Sequence, residues 1–139
     1  MRVMILAKTT PEGENAPPRQ EGWEPMAQFS DELVKAGVLL ASDRLQPSAS
    51  GARIRFEGTK RTVIDGPFTE AKELVAGFWI WQVRSLDEAI EWLKRAPFGD
   101  GQELEIRPIF DAEDFGEAMT PEMREQFERI RPKVPAGQS

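Results

Sequence analysis

The residues best suited to chemistry lie together in Asp65-Gly66-Pro67-Phe68-Thr69-Glu70-Ala71-Lys72-Glu73. Asp65, Glu70, Lys72 and Glu73 put three carboxylates and one ammonium on a short loop. Lys72 beside carboxylates could hold an anion or a carbonyl oxygen, and Asp65 could act as a base if burial favoured its protonated form. Two plainer readings stand beside these. Asp65 could cap the turn by bonding its own backbone two residues on, and the charges at 70–73 could be a solvated, self-paired loop. Gly66 is expected to supply backbone angles closed to other residues ahead of Pro67. The candidate ligand-binding residues are therefore Asp65, Gly66, Pro67, Phe68, Lys72 and Arg44, with Asp65 the candidate catalytic group. Lys8, Asp43, Arg44 and Arg107 sit at predicted strand ends and could converge on the same cleft, which Trp23, Phe68 or Trp79 could wall.

The composition narrows the chemistry further. The chain has no histidine, no cysteine and no tyrosine. Imidazole is the usual general base near neutral pH and the commonest metal ligand, so Ser-His-Asp, Cys-His and histidine-ligated metal systems are excluded from this chain. Without cysteine there are no disulfides or thiolate metal sites, which fits a cytoplasmic location. No metal and no cofactor are expected. Net charge is −6, carried almost entirely by the second half: residues 1–69 hold nine basic and nine acidic side chains, residues 70–139 nine and fifteen. Such an acidic half argues against nucleic acid or an anionic membrane as partner. No apolar run approaches the roughly 20 residues of a membrane span, and the run at Val3–Ala7 is too short for a signal-peptide core.

The elements that must position the loop follow from periodicity. Val3 to Ala7 is apolar on both faces, the pattern of an interior strand. Thr9 to Glu21 contains three prolines and reads as a long loop, either functional or mobile. Met26, Phe29, Leu33 and Ala36 recur at helical spacing from near Pro25, with Gly37 as the terminator. Val38 to Ala41 begins a second strand, and Ser48 to Gly51 is a loop. Arg53–Glu57 and Lys60–Ile64, turning at Gly58, read as an edge hairpin with Ile54 and Phe56 on a buried face. Val75 to Val83 is the central strand, and Ser85 with Glu88 is a capping box opening a second helix. Glu103 to Phe110 is the last strand. Residues 1–110 thus form one domain, and 111–139 a helical extension with a start at Thr120-Pro121, a stripe of Met123, Phe127 and Ile130, and a disordered tail from Pro135.

Strand, helix, strand, hairpin, strand, helix, strand describes an α+β, ferredoxin-like two-layer sandwich with an added edge hairpin. Such a sandwich covers one face of its sheet, whereas the first and central strands are apolar on both. Trp79 and Trp81 alone would leave on the order of 300–500 Å² in water. A monomer rarely shows such a patch, so a two-fold copy is expected to cover it; a C-terminal helix folded back over that face is the competing arrangement.

The run Asp65-Gly66-Pro67-Phe68-Thr69-Glu70-Ala71-Lys72-Glu73, with Gly77-Phe78 on a strand, Leu86-Asp87-Glu88-Ala89 and Ile106-Arg107-Pro108, resembles the DGPF family within the YCII-related proteins over about residues 1–110. The resemblance implies a dimeric α/β barrel of two ferredoxin-like sheets, and for some members a link to extracytoplasmic-function sigma factors. The broader group has a suggested catalytic His and Asp. The matching places here hold Met26 and Ala96, neither of which does acid–base work.

Three functions fit these readings: a homodimer that binds a small molecule, a cofactor-free enzyme of lactone isomerase or oxygenase type, and a partner-binding module of a transcription regulator such as a sigma factor. The enzyme reading rests on fold analogy alone.

Overall fold

The computed structural model describes residues 1–17, 20–70 and 73–131. The chain runs β1 (Arg2–Lys8), α1 (Pro11–Glu14), α2 (Trp23–Lys35), β2 (Leu39–Arg44), β3 (Ala52–Glu57), β4 (Lys60–Asp65), β5 (Val75–Gln82), α3 (Leu86–Lys94), β6 (Leu104–Pro108) and α4 (Pro121–Ile130). Short 3-10 stretches lie at Ser48–Ser50 and Ala112–Ala118. Four strands form one sheet in the order β2-β5-β1-β6, all neighbours antiparallel, while among the described residues β3 and β4 pair only with each other. With α2 and α3 as the two crossovers, this is the ferredoxin-like arrangement.

Helix α2 starts at Trp23, two residues before the proline expected to open it. It ends in a Schellman motif. The Gly37 N–H donates to the Val34 carbonyl and the Val38 N–H to the Leu33 carbonyl, with Gly37 at φ 72°. The motif turns Val38 inward beside Leu33, and both join the core. Helix α3 opens on Ser85, whose hydroxyl accepts from the Glu88 N–H at 3.1 Å. The reciprocal half of the expected box is replaced, since the Glu88 carboxylate pairs instead with Arg84.

Both helices cover one face of the sheet. Val3 and Ile5 of β1 and Trp79, Trp81 and Val83 of the β5 segment are buried there with Phe29, Leu33 and Ala89. The aromatic side chains interlock: Trp79 and Trp81 stack at 5.5 Å, with Phe29 edge-on to both and Phe98 edge-on to Trp79 at 5.9 Å. This corrects the expectation that the two tryptophans need a second chain to shelter them. They lie on the helix-covered face, 8% and 0% exposed within a single chain. The other face carries Met4, Leu6, Phe78 and Ile80, all half-buried and opposite one another in register, Met4 to Ile80 and Leu6 to Phe78.

The hairpin is inverted relative to expectation. Ile54 and Phe56 point to solvent, and Arg53 and Ile64 are the half-buried pair. The inversion has a local cause. Arg53 has partners on the body, lying 3.9 Å over the Phe68 ring and 2.9 Å from the Glu73 carboxylate, so the basic face turns inward.

The last strand is shorter than expected, ending at Pro108, and residues 112–118 form a kinked 3-10 stretch that periodicity does not signal. Thr120 caps α4, its hydroxyl accepting from the Met123 N–H at 3.1 Å. The extension is moored to the start of β1 through Asp111, which lies 3.6 Å from both Arg2 and Arg131. Residues 135–139, read as a disordered tail, lie outside the described residues.

Candidate functional site

The DGPF loop leaves the end of β4 and returns at β5, and three other segments meet it at that end of the sheet. The Thr9 N–H donates to the Leu74 carbonyl, the Leu45 N–H to the Ala76 carbonyl, and the Lys8 N–H to the Glu103 carbonyl. Lys8, Arg44 and the loop therefore share one end, because antiparallel pairing sets Arg44 opposite Gly77 and Lys8 opposite Val75. Arg107, opposite Met4, lies farther along the sheet and pairs with Glu105 at 3.3 Å.

Ser48 is the hub of this end. Its N–H and hydroxyl donate to the two oxygens of the Glu14 carboxylate at 2.9 and 2.8 Å, and its hydroxyl accepts from the Phe68 N–H at 3.0 Å. One serine thus joins three segments that are 34 and 20 residues apart in the chain. The Gly66 N–H donates to the Gly51 carbonyl at 3.1 Å, and the Gly66–Pro67 peptide is cis. With its hydroxyl hydrogen committed to Glu14 and Phe68 bonded to its oxygen, Ser48 is a positioning group rather than a nucleophile.

Glycine is required at 66, but for a reason other than the expected one. Gly66 is absent from the residues with positive φ, and its missing side chain allows the backbone to lie directly on the Ser48 carbonyl. Asp65 does not cap the turn in the expected way either. The residue two further on is Pro67, which has no N–H to donate. The Asp65 side chain is exposed and makes no hydrogen bond or ion pair among the described residues. Glu73 is held by Arg53, and Lys72 lies outside the described residues. Trp23 is largely exposed at the start of α2, and Trp79 belongs to the core.

The missed residues are Glu14, Ser48 and Arg53. Residues 9–21, read as a loop, contain a helical turn at Pro11–Glu14 capped by the Thr10 hydroxyl. The signal was there: Thr10-Pro11-Glu12 repeats the Thr120-Pro121-Glu122 pattern that marks α4. Nothing local identifies Ser48 as its partner.

A separate recess of about 360 Å³ lies at the opposite end of the sheet, lined by Val38, Gln82, Val83, Arg84, Glu88 and Trp92 among others. Among the described residues no group of three or more carboxylates converges in the manner of a metal site, and no helix is long and apolar enough to cross a membrane.

The YCII-related domain matches residues 1–113. The chain belongs to the YCII-related family. A relative within the curated proteins, the uncharacterised protein R00369 of Rhizobium meliloti (strain 1021), is 38% identical over 79 residues, covering 55% of this chain and 63% of that protein. The match thus spans under two thirds of the relative's length. Among solved structures, 5-chloro-2-hydroxyhydroquinone dehydrochlorinase (TftG) of Burkholderia phenoliruptrix AC1100, in complex with 2,5-dihydroxybenzoquinone, is 17% identical over 80% of this chain and 96% of its own, with a TM-score of 0.38. That degree of likeness brings none of its chemistry to this YCII-related chain.

Proposed function

We propose that this YCII-related protein is a homodimer that binds a small organic molecule against its open sheet face, at the end where the DGPF loop lies. The observation that carries the reading is the apolar cluster of Met4, Leu6, Phe78 and Ile80 on the face away from α2 and α3. Four large apolar side chains on the outward face of a sheet form the kind of patch that soluble chains cover, and a two-fold copy covers it most simply. The rim supports binding rather than turnover. Glu14 holds Ser48, and Ser48 holds the loop at Phe68, which favours a preformed cleft. Asp65, Lys72 and Arg44 serve as fixed charges that orient a polar group, and Gly66, Pro67 and Phe68 present backbone and an aromatic edge.

Native mass spectrometry of freshly purified protein tests both parts, with light scattering as a check in solution. The expected result is a species of twice 15.7 kDa with a retained low-mass ligand, lost in Arg44→Ala and Phe68→Ala. A 15.7 kDa species at micromolar concentration overturns the dimer. A dimer without added mass, and without a thermal shift across a panel of carboxylate and carbonyl compounds, overturns the binding reading.

A further inference from the structure

We propose that Arg2 is a carboxylate site on the open sheet face, held by Asp111 of the C-terminal extension until a ligand carboxylate takes its place. The site lies at the end away from the DGPF loop and stands independently of the binding proposed there. Alternation along β1 puts Arg2 on the face of Met4 and Leu6, since Val3 and Ile5 meet the helices. A cation on an outward face is ordinarily solvated, yet Arg2 is only 8% exposed. Its charged neighbours there, Asp111 and Arg131, both belong to the extension. The fit between them is incomplete. Asp111 Oδ1 lies 3.6 Å from Nη2 of Arg2 and 3.6 Å from Nη2 of Arg131. Those separations allow attraction but exceed a hydrogen bond, whereas an arginine–carboxylate pair normally closes to about 2.7–2.9 Å. Arg2 Nε and Asp111 Oδ1 are both buried without a hydrogen-bond partner among the described residues.

Buried polar atoms left in that state cost free energy, so a better-placed anion can replace the contact. Asp111 is tethered by its own backbone. Its N–H donates to Asp114 Oδ2 at 2.7 Å and its carbonyl accepts from the Asp114 N–H at 3.0 Å. A free carboxylate has no such tether, and its two oxygens can meet Nε and Nη2 of Arg2 together in the forked geometry that a guanidinium favours. Met4 lies next along the same face, with Ile80 opposite it. The ligand class is therefore a small carboxylate with an apolar body. The extension can give way as a unit because its ties are largely internal. Phe115 packs on Phe110 and Phe127, and Glu113 lies 3.8 Å from Arg124. Among the described residues from 111 onward, Ala112 alone is buried.

Benzoate is the probe, with benzamide as its neutral counterpart. Calorimetry measures affinity for the native chain, Asp111→Asn and Arg2→Gln, and amide exchange follows residues 111–131. Asp111→Asn is expected to bind benzoate about tenfold more tightly than the native chain, because the competing carboxylate is gone. Arg2→Gln is expected to lose benzoate, and benzamide to bind none of the three. In the native chain benzoate, and not benzamide, is expected to speed exchange across residues 111–131, a readout that needs no variant to fold. Four results each overturn the site: no benzoate binding at millimolar concentration, equal affinity in the native chain and Asp111→Asn, binding that survives Arg2→Gln, or native exchange that benzoate leaves unchanged.

Discussion

A methyl group at position 66 has nowhere to go. An ideal Cβ on Gly66 would lie 1.7 Å from the Ser48 carbonyl oxygen, 2.6 Å from its carbonyl carbon and 3.2 Å from the Ala49 Cα. All three are backbone atoms. Ser48 cannot simply retreat, because Glu14 holds both its N–H and its hydroxyl. In Gly66→Ala the loop must therefore lift. Lifting breaks the bonds from the Gly66 N–H to Gly51 and from the Phe68 N–H to Ser48, each contributing about 0.5–1.5 kcal/mol. It also draws Phe68 from beneath Arg53, a contact of about 0.5–1 kcal/mol when exposed. The expected loss is about 1.5–4 kcal/mol, the sum of those contacts. Urea melts measure it as a lower midpoint at unchanged slope. Adding Ser48→Ala should then cost less than it does alone, because one of its contacts is already broken. A loss below about 0.5 kcal/mol, the usual range of neutral surface changes, would refute the close approach, and so would strict additivity.

Other outcomes follow from the same geometry. Trp79→Ala should destabilise by about 3–5 kcal/mol, since it removes the ring against which Phe29, Trp81 and Phe98 pack; melts within about 1 kcal/mol of the native chain would place Trp79 outside the core. Glu14→Ala strips two charge-assisted bonds from Ser48 and should cost about 1.5–3 kcal/mol by urea melt, with Glu14→Gln milder because one oxygen acceptor remains; equal, negligible losses would show the tie to be ornamental. With no histidine in the chain, affinity for a retained ligand is expected to be flat from about pH 6 to 8 by calorimetry. A step near about pH 6.5 would instead place a titrating group of the protein or ligand in the site.

What could be read without coordinates was the part governed by local periodicity. Two crossover helices, Gly37 as a terminator and an apolar central strand all follow from spacing along the chain, and these imply the ferredoxin-like order. The side of the sheet on which Trp79 and Trp81 lie did not follow. A strand apolar on both faces carries no label saying which face meets the helices. The hairpin misled for a related reason: alternation shows that Ile54 and Phe56 share a face, but the inward turn depends on Phe68 and Glu73 being within reach of Arg53. At the candidate site the loop was legible as a motif, because Gly-Pro and its clustered charges lie within nine consecutive residues. Its support was not. Glu14 and Ser48 are ordinary polar residues whose importance lies in a meeting across 34 residues.

The Ser48 tie also couples the lengths of three surface segments. Loops usually accept insertions independently, at a cost that grows slowly with length. Here Glu14, Ser48 and Phe68 must arrive at one point together, so a residue added between Lys8 and Glu14 would displace the other two unless they changed with it. The segments should likewise open as one cooperative unit in amide exchange, with the Ser48 and Phe68 amides sharing a single opening rate. In an evolving chain, loop length at this rim is thus a shared variable, and variation there is expected to come in matched sets.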